Sequence, residues 1–312
     1  MTRFRHSIGG ARLGGVLFAA CLAAGAAHAQ EKDLDTPYVQ TPQNVVERML
    51  EIAKVGSRDY VIDLGSGDGR MVITAAKKHG ARGFGVDLDR RLVESSNASA
   101  ARAGVSSRAV FYARDLFDTD VSPATVLTLY LLPDVNLAIR SRLLATLKPG
   151  TRIVSHDYGM GEWPPDFQTE LAAPGKTVGV AQRSTIYYWV VPAHAAGRWR
   201  WRLELDRGAE DFVLALDQIF QKLEGRLDAA GYSVRIEGVA LTGENIEFAA
   251  TVGAGAVAAR YEFSGRIVSH AIEGTVRINR GGQERKLAWS AARTELWDPR
   301  HAIQAVAQPA RE

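Results

Sequence analysis

The sequence is 312 residues long, 46% hydrophobic and 23% charged, which excludes a disordered or fibrous chain and leaves room for two folded domains. Lys and Arg number 38 against 35 Asp and Glu, a formal charge of +3. Three of those cations, Arg3, Arg5 and Arg12, stand in a leader expected to be removed, so the mature chain is neutral and nucleic acid is not an expected partner.

The leader comes first. Its arginines precede an apolar run from Leu13 to Gly25 and the small-residue triplet Ala27-His28-Ala29, the pattern of a secretory signal cleaved before Gln30. The run is shorter than the ~20 apolar residues of a comfortable membrane span. The expected location is therefore the periplasm or the exterior, with contact to a membrane only through this segment. Lipidation at Cys21, an uncleaved anchor, and a cytoplasmic chain with a misassigned start remain alternatives. Cys21 is the only cysteine, so the mature chain has no disulfide, thiolate metal site or cysteine nucleophile, and no metal is expected.

Residues 30 to 44 read as an extended lead-in broken by Pro37 and Pro42, and Val45 to Val55 as a helix. A β/α alternation follows. Strands are expected at Tyr60 to Leu64, Gly83 to Asp87, Ala109 to Tyr112, Thr125 to Tyr130, Arg152 to Ser155 and Thr185 to Val191. Helices are expected at Arg70 to His79, Arg90 to Ala103 and Val135 to Leu147, the first two stopped by Gly80 and Gly104. This spacing predicts an α/β, Rossmann-like domain with a parallel sheet. From about Ala195 the period changes to two, as in Trp199, Trp201, Leu203 and Leu205, with turns at Ala230-Gly231, Gly243 to Asn245 and Gly281-Gly282. That half reads as an antiparallel β-meander, a small barrel or sandwich. Asp211 to Gln221 is the one stretch in it that also suits a helix. The expected boundaries are a signal at 1–29, the α/β domain at 30–194, the β-rich domain at 195–298 and a tail at 299–312.

The chemistry concentrates after the first strand, in Asp63-Leu64-Gly65-Ser66-Gly67-Asp68-Gly69-Arg70. Open α/β sheets bind ligands at the carboxyl ends of their strands, and glycines allow the sharp turn and close approach. The spacing is G-x-G-x-G rather than the G-x-G-x-x-G of a dinucleotide site. The carboxylates of Asp63 and Asp68 would repel a pyrophosphate and suit a ligand bearing an ammonium and a sulfonium, as S-adenosylmethionine (SAM) does. Asp87 ends the second strand, where a carboxylate accepts hydrogen bonds from ribose hydroxyls; Asp89 reads as a helix cap. Asp115 and Leu116 follow the third strand, suited to an adenine amino group and ring, or else to capping a turn. On the acceptor side stand Tyr130, His156, Asp157, Tyr158 and Trp163, past the fourth and fifth strands. In a transfer between two bound partners positioning dominates, with His156 or Asp157 available to take or relay a proton. Trp163 reads more simply as packing against Pro164-Pro165.

Taken together, Pro37-Tyr38-Val39-Gln40-Thr41-Pro42, a helix with Val45-Val46 and Met49-Leu50, the Asp63 to Arg70 loop and Asp115-Leu116 resemble a family of seven-strand lysine methyltransferases. Its best-known members are membrane-anchored mitochondrial enzymes. The resemblance covers Asp35 to Trp163, extending toward Val191, and not the β-rich half. It implies a SAM cofactor, with Tyr38 and Thr41 folding over the methionine end. Asp63, Gly65 and Gly67 would contact the amino-acid part, Asp87 the ribose and Asp115 the adenine. Gln40 stands where the family has proline, and Asp87 where it has Glu. Tyr130-Leu131-Leu132-Pro133-Asp134 lacks the N-P-P-Y signature of amide and adenine methyltransferases. The expected activity is thus SAM-dependent methylation, with a protein lysine, an envelope protein among the candidates, as acceptor. The alternatives are a secreted SAM-fold binding or scaffold protein without transfer activity, and aminopropyl transfer from decarboxylated SAM.

Overall fold

The computed structural model describes residues 38–295, apart from 177 and 207. The expected signal and tail lie outside the described residues. The chain opens with helix α1 (Gln43–Ile52), whose Val45, Val46, Met49 and Leu50 are buried on one stripe. Then come β1 (Tyr60–Leu64), α2 (Arg70–His79), β2 (Arg82–Asp87), α3 (Arg90–Arg102), β3 (Ala109–Ala113), β4 (Val126–Leu129), α4 (Pro133–Thr146) and β5 (Arg152–His156). Two further strands, β6 (Phe167–Ala172) and β7 (Arg183–Val190), complete a seven-stranded sheet of order β3-β2-β1-β4-β5-β7-β6. The first five strands in that order are parallel; β7 runs antiparallel to β5 and to β6.

β6 was not foreseen. Its six residues are all exposed or half-buried, because it is an edge strand, and such strands give no buried-face alternation to read. The other elements given bounds in the first half fall within two residues of expectation, except that α1 ends three residues before the expected Val55.

In-register neighbours divide the sheet into two faces. Val61, Val126, Val154 and Ile186 face α1 and α2 and share a core with Met49, Leu50, Met71 and Ala75. Ile62, Leu127, Ile153 and Trp189 form a row on the opposite face. On that side Trp189 meets Trp163, and Trp163 stacks on Phe220 at 5.9 Å, with the Arg140 guanidinium of α4 over the Phe220 ring.

The second half is all antiparallel. Its strands are β8 (Gly197–Leu205), β9 (Gly208–Ile219), β10 (Lys222–Ala229), β11 (Tyr232–Arg235), β12 (Glu237–Thr242), β13 (Asn245–Val252), β14 (Ala259–Val268), β15 (Ala271–Arg280) and β16 (Gln283–Glu295). Their order is β11-β10-β9-β8-β16-β15-β14-β13-β12. The two edge strands, β11 and β12, are separated in the chain only by Ile236. They are two halves of one broken strand, the first paired with β10 and the second with β13, so the sheet curls until its edges meet in a nearly closed barrel. Of the two architectures expected, this is the barrel. Inward side chains fill it: Trp199, Trp201, Phe212, Phe248, Tyr261, Phe263 and Trp289 belong to one buried cluster.

The Asp211–Gln221 stretch, which also suited a helix, is strand to Ile219: β9 pairs with β8 as far as Leu216 and with β10 as far as Ile219. Its alternation of buried Phe212, Leu214 and Leu216 decides the matter, since those residues fill the barrel and tertiary packing overrides weak local propensity. Arg198, Arg200 and Arg202 lie on the outer face of β8, opposite Trp199 and Trp201, with Arg202 paired to Asp211 and Arg198 to Glu295.

Segment 191–196 links the two sheets and is tied to the barrel. Gln218 accepts hydrogen bonds from the Ala195 and Ala196 amides and donates to the Ala193 carbonyl. Arg293 caps it by donating to the carbonyls of Ala196 and His194 while lying over the Trp199 ring.

Candidate active site

The carboxyl ends of the parallel strands line one edge of the first sheet. The strand order therefore sets the order of the side chains along it: Asp115 after β3, Asp87 at the end of β2, the glycine loop after β1, Tyr130 after β4, and His156 and Asp157 at β5. The order reverses between β1 and β4, the switch point where such sheets open a crevice.

The loop takes its shape from left-handed glycines. Gly65, Gly67 and Gly69 have φ of +76°, +52° and +78°, a region side chains avoid. Space enforces the same choice. A Cβ on Gly65 would lie 2.8 Å from Leu131 Cδ2, and one on Gly67 2.5 Å from the Tyr38 ring. Tyr38 thus lies directly over the loop, and Leu131, next to Tyr130, lies directly against it. Ser66 is buried behind the loop, against Gly85, and its Oγ has no hydrogen-bond partner among the described residues.

The two loop carboxylates differ. Asp63 is buried and accepts a 2.6 Å hydrogen bond from Thr128 Oγ1, its in-register neighbour on β4. Burial, reinforced by the charges of Asp87 and Asp68, pushes its pKa up to about 7. Asp68 is already paired: Arg70 Nε and Nη2 both reach it, the closer at 2.5 Å. Burial pushes the Asp68 carboxyl up, but the Arg70 hydrogen bonds and charge outweigh it and hold it below its ordinary value. The expectation that both carboxylates would greet a cation is therefore corrected. Asp63 carries the uncompensated charge, while Asp68 organises the loop, since Arg70 also donates to the Thr41 carbonyl at 2.7 Å and so ties the Tyr38–Thr41 segment down. Gln40, the departure from proline, donates to the Tyr38 hydroxyl at 2.9 Å and to Asp68 at 3.3 Å.

Asp87 accepts from the Gly67 amide at 2.9 Å and the Asp89 amide at 3.0 Å, one bond per oxygen, leaving acceptor capacity on each. Asp115 accepts from the Phe117 amide and caps the short 3-10 turn Leu116–Asp118, so it serves the turn as well as facing the edge; Leu116 is half-buried. A raised aspartate, an exposed aromatic over Gly67 of a loop of left-handed glycines and an Asp with free lone pairs fit a cationic ligand with a ribose, as SAM is. Among the described residues no group of three or more His, Cys, Asp or Glu could hold a metal.

On the acceptor side, His156 is fully buried between Thr41 Oγ1, 3.1 Å from Nδ1, and Ser184 Oγ, 2.7 Å from Nε2. Burial drives its pKa down, the Lys176 charge adding to this and the Asp157 charge opposing it. Burial thus disfavours the charged ring that a relay would pass through, although Nε2 also lies 3.6 Å from Asp157 Oδ2, and His156 holds Thr41 against the sheet. Asp157 adopts φ +62° and accepts from the Thr185 amide at 3.0 Å. Its second oxygen faces Tyr130 Oη at 3.5 Å and Lys176 Nζ at 2.5 Å. Tyr130 packs on His156 with centroids 4.0 Å apart, and burial followed by the Asp157 charge raises its pKa. Trp163 turns away from this edge. It is buried against Trp189 and Phe220, and its indole donates to Gln221 Oε1 at 3.0 Å, a packing role.

Thr128, Ser184 and Lys176 were not foreseen. Thr128 left a trace, a lone hydroxyl in the otherwise apolar Val126–Leu129; the other two left none.

Residues 63–167 match the family described as "ANTKMT methyltransferase domain". The chain is 45% identical over 159 residues to a protein-lysine N-methyltransferase of Saccharolobus islandicus, covering 51% of this chain and 95% of the relative. It is 30% identical over 165 residues to the adenine nucleotide translocase lysine N-methyltransferase of Mus musculus, covering 53% of this chain and 66% of that protein. Among solved structures, one titled as an RNA methyltransferase from Salinibacter ruber with S-adenosyl-L-homocysteine is 47% identical, covering 50% of this chain and 95% of that chain at a TM-score of 0.45.

Proposed function

We propose that this chain, which belongs to the family of SAM-dependent protein-lysine N-methyltransferases, methylates the side-chain amine of a protein lysine. When bound, SAM supplies a methyl group on a sulfonium, ready for transfer to a lone pair. The observation that carries the lysine reading is Asp157, an acidic side chain at the carboxyl end of β5, facing Tyr130 at the end of β4, whose neighbour Leu131 packs on Gly65 of the cofactor loop. An amine acceptor approaches as an ammonium, and a carboxylate beside a hydroxyl is the pair that recognises one and can take its proton.

The residues divide the labour by position. Asp63 meets the ammonium of the cofactor's amino-acid end, where a positive charge offsets the burial and the neighbouring carboxylates that raise its pKa. Gly65, Ser66 and Gly67 present backbone to the ligand, Asp87 the ribose acceptors, and Asp115 with Leu116 the adenine site. Tyr38 covers the loop, and Thr41 is held in place by His156 and Arg70. Tyr130 and Asp157 orient the acceptor, and positioning of this kind supplies most of the acceleration in a transfer between bound partners.

The arginine-rich leader and Ala27-His28-Ala29 support export, with Gln30 as the mature N-terminus, and hence an envelope protein as acceptor. N-terminal sequencing of the protein from its own host tests that part; an intact Met1 or Thr2 would refute it. For the activity, the purified chain is incubated with methyl-labelled SAM and an envelope extract. Label is expected in lysine residues of protein. Label confined to RNA, or to other residues, would refute the lysine reading.

A further inference from the structure

Lys176 is buried, with 1% of its side chain exposed. Lysine is among the least often buried residues, and an ammonium is kept in such a place only by excellent partners. Here its Nζ lies 2.5 Å from Asp157 Oδ2 and donates to the Arg183 carbonyl at 2.5 Å. Tyr130 Oη stands 3.5 Å from the same Asp157 oxygen. Lys176 belongs to the connection between β6 and β7. That connection lies on the cofactor edge, because β7 runs antiparallel to β5 and begins beside His156. Gly179 of the same connection, at φ +75°, packs over the pair: a Cβ there would sit 3.7 Å from both Asp157 Oδ2 and Lys176 Nζ. The Lys176 backbone is held as well, its amide donating to the Ala173 carbonyl at 3.1 Å and its carbonyl accepting from the Gln182 amide at 3.3 Å. Val178 and Val180 are exposed, and Gly175, Gly179 and Gln182 all have positive φ.

We propose that the Asp157 carboxylate, the Arg183 carbonyl and the Tyr130 hydroxyl form the subsite for the acceptor's side-chain ammonium, and that Lys176 fills it as the chain's own stand-in. The inference rests on the lysine methyltransferase reading above. An incoming lysine exchanges one ammonium for another at Asp157, so the buried carboxylate is never left unpaired. The Lys176 side chain then swings out on its flexible stem. An acceptor without a primary amine cannot make this exchange, which makes the subsite selective.

The test reads Lys176 directly. The full chain is treated with an amine-acetylating reagent, and acetylation of Lys176 is measured by mass spectrometry relative to exposed Lys77. The measurement is made alone, with a capped single-lysine peptide, and with the same peptide carrying norleucine. Lys176 is expected to be protected alone and with norleucine, and at least fivefold more reactive with the lysine peptide. In K176A the lysine peptide is expected to bind at least tenfold more tightly by calorimetry than in the wild type. Should K176A not fold, the wild-type labelling decides. Unchanged Lys176 reactivity, or equal or undetectable lysine-peptide binding in both chains, would overturn the subsite. If Lys176 stays protected while the chain methylates poly-L-lysine, the subsite is wrong and the proposed function stands.

Discussion

Asp63→Asn should stabilise the ligand-free protein while damaging cofactor binding. Asp63 is buried beside Asp87 and Asp68, and its pKa rises from an ordinary 3.8 to about 7. Below about pH 4 the carboxyl is protonated in both folded and unfolded chains and contributes nothing. Between the two values the folded chain holds a proton that the unfolded chain has released, so stability falls as pH rises. Above pH 7 the penalty is complete. At about 1.36 kcal/mol per pH unit it reaches roughly 4 kcal/mol as an upper bound. Asparagine carries no charge and keeps an oxygen to accept from Thr128 Oγ1, so the mutant escapes the penalty. Urea unfolding of both chains at pH 5, 6, 7 and 8 isolates the effect, because every other titrating group is common to both. The stability difference should favour the asparagine variant increasingly with pH and level off past 7. SAM binding should move the other way, weakening roughly tenfold or more with the loss of a charge-assisted hydrogen bond of ~1.5–3 kcal/mol. A stability difference that stays flat from pH 5 to 8, or a mutant less stable at pH 8, would refute the argument that this carboxylate is strained by burial.

Three further outcomes follow from packing. Gly67→Ala puts a Cβ into the Tyr38 ring at φ +52°, so SAM affinity should fall at least tenfold by calorimetry with the circular dichroism spectrum unchanged; in a Tyr38→Ala background the added loss should shrink, because the clash is gone. Trp163→Ala empties a fully buried site between Trp189 and Phe220 and should lower unfolding free energy by about 3–5 kcal/mol in urea. A chain shortened to end at Val191 should still bind SAM with wild-type affinity, but melt lower and bind a hydrophobic dye, because Trp163 loses Phe220 and Gln221; failure to bind SAM while folded would mean that the barrel helps build the cofactor pocket.

The parallel half of the fold was readable because each buried strand is an apolar run closed by a turn residue, and helices end on glycines such as Gly80 or Gly104, both at positive φ. The cofactor loop was readable for the same reason, its glycines being forced by backbone geometry. What escaped is long-range. Arg70 stands two residues from Asp68 in the sequence, but only the folded chain shows it gripping Asp68 and the Thr41 carbonyl, 29 residues away. His156 read as a proton relay because sequence shows a titratable group at a strand end and not the Thr41 and Ser184 that enclose it. Lys176 gave no signal at all, since a lone lysine in a Gly- and Pro-containing connection reads as solvated. The barrel's closure was hidden in the break at Ile236, where one strand changes partners from β10 to β13.

The barrel meets the methyltransferase half at the chain that leaves β5, through Trp163, and at Gly150 ahead of β5, where Gly243 packs. The segment leaving β5 runs from Asp157 to Trp163. Its Tyr158, Gly159 and Met160 carbonyls accept from Asn136 and Arg140, and at its far end the β9–β10 turn closes on Trp163. Gln221 in that turn accepts from the Trp163 indole and donates to the Pro164 carbonyl at 2.7 Å and to Asp166 at 3.2 Å. None of these bonds reaches the glycine loop, Asp87 or Asp115. The barrel therefore buttresses the segment that carries Asp157 and leaves the cofactor residues to their own strands. Gln221→Ala removes all three bonds and strands a buried indole N–H, a loss of about 1–3 kcal/mol for the unsatisfied donor alone. The expected result is a KM for poly-L-lysine raised severalfold, with SAM affinity by calorimetry within about twofold of wild type. Parallel losses in both would show that the turn supports the whole edge, and the assignment of the barrel to the acceptor side would fail.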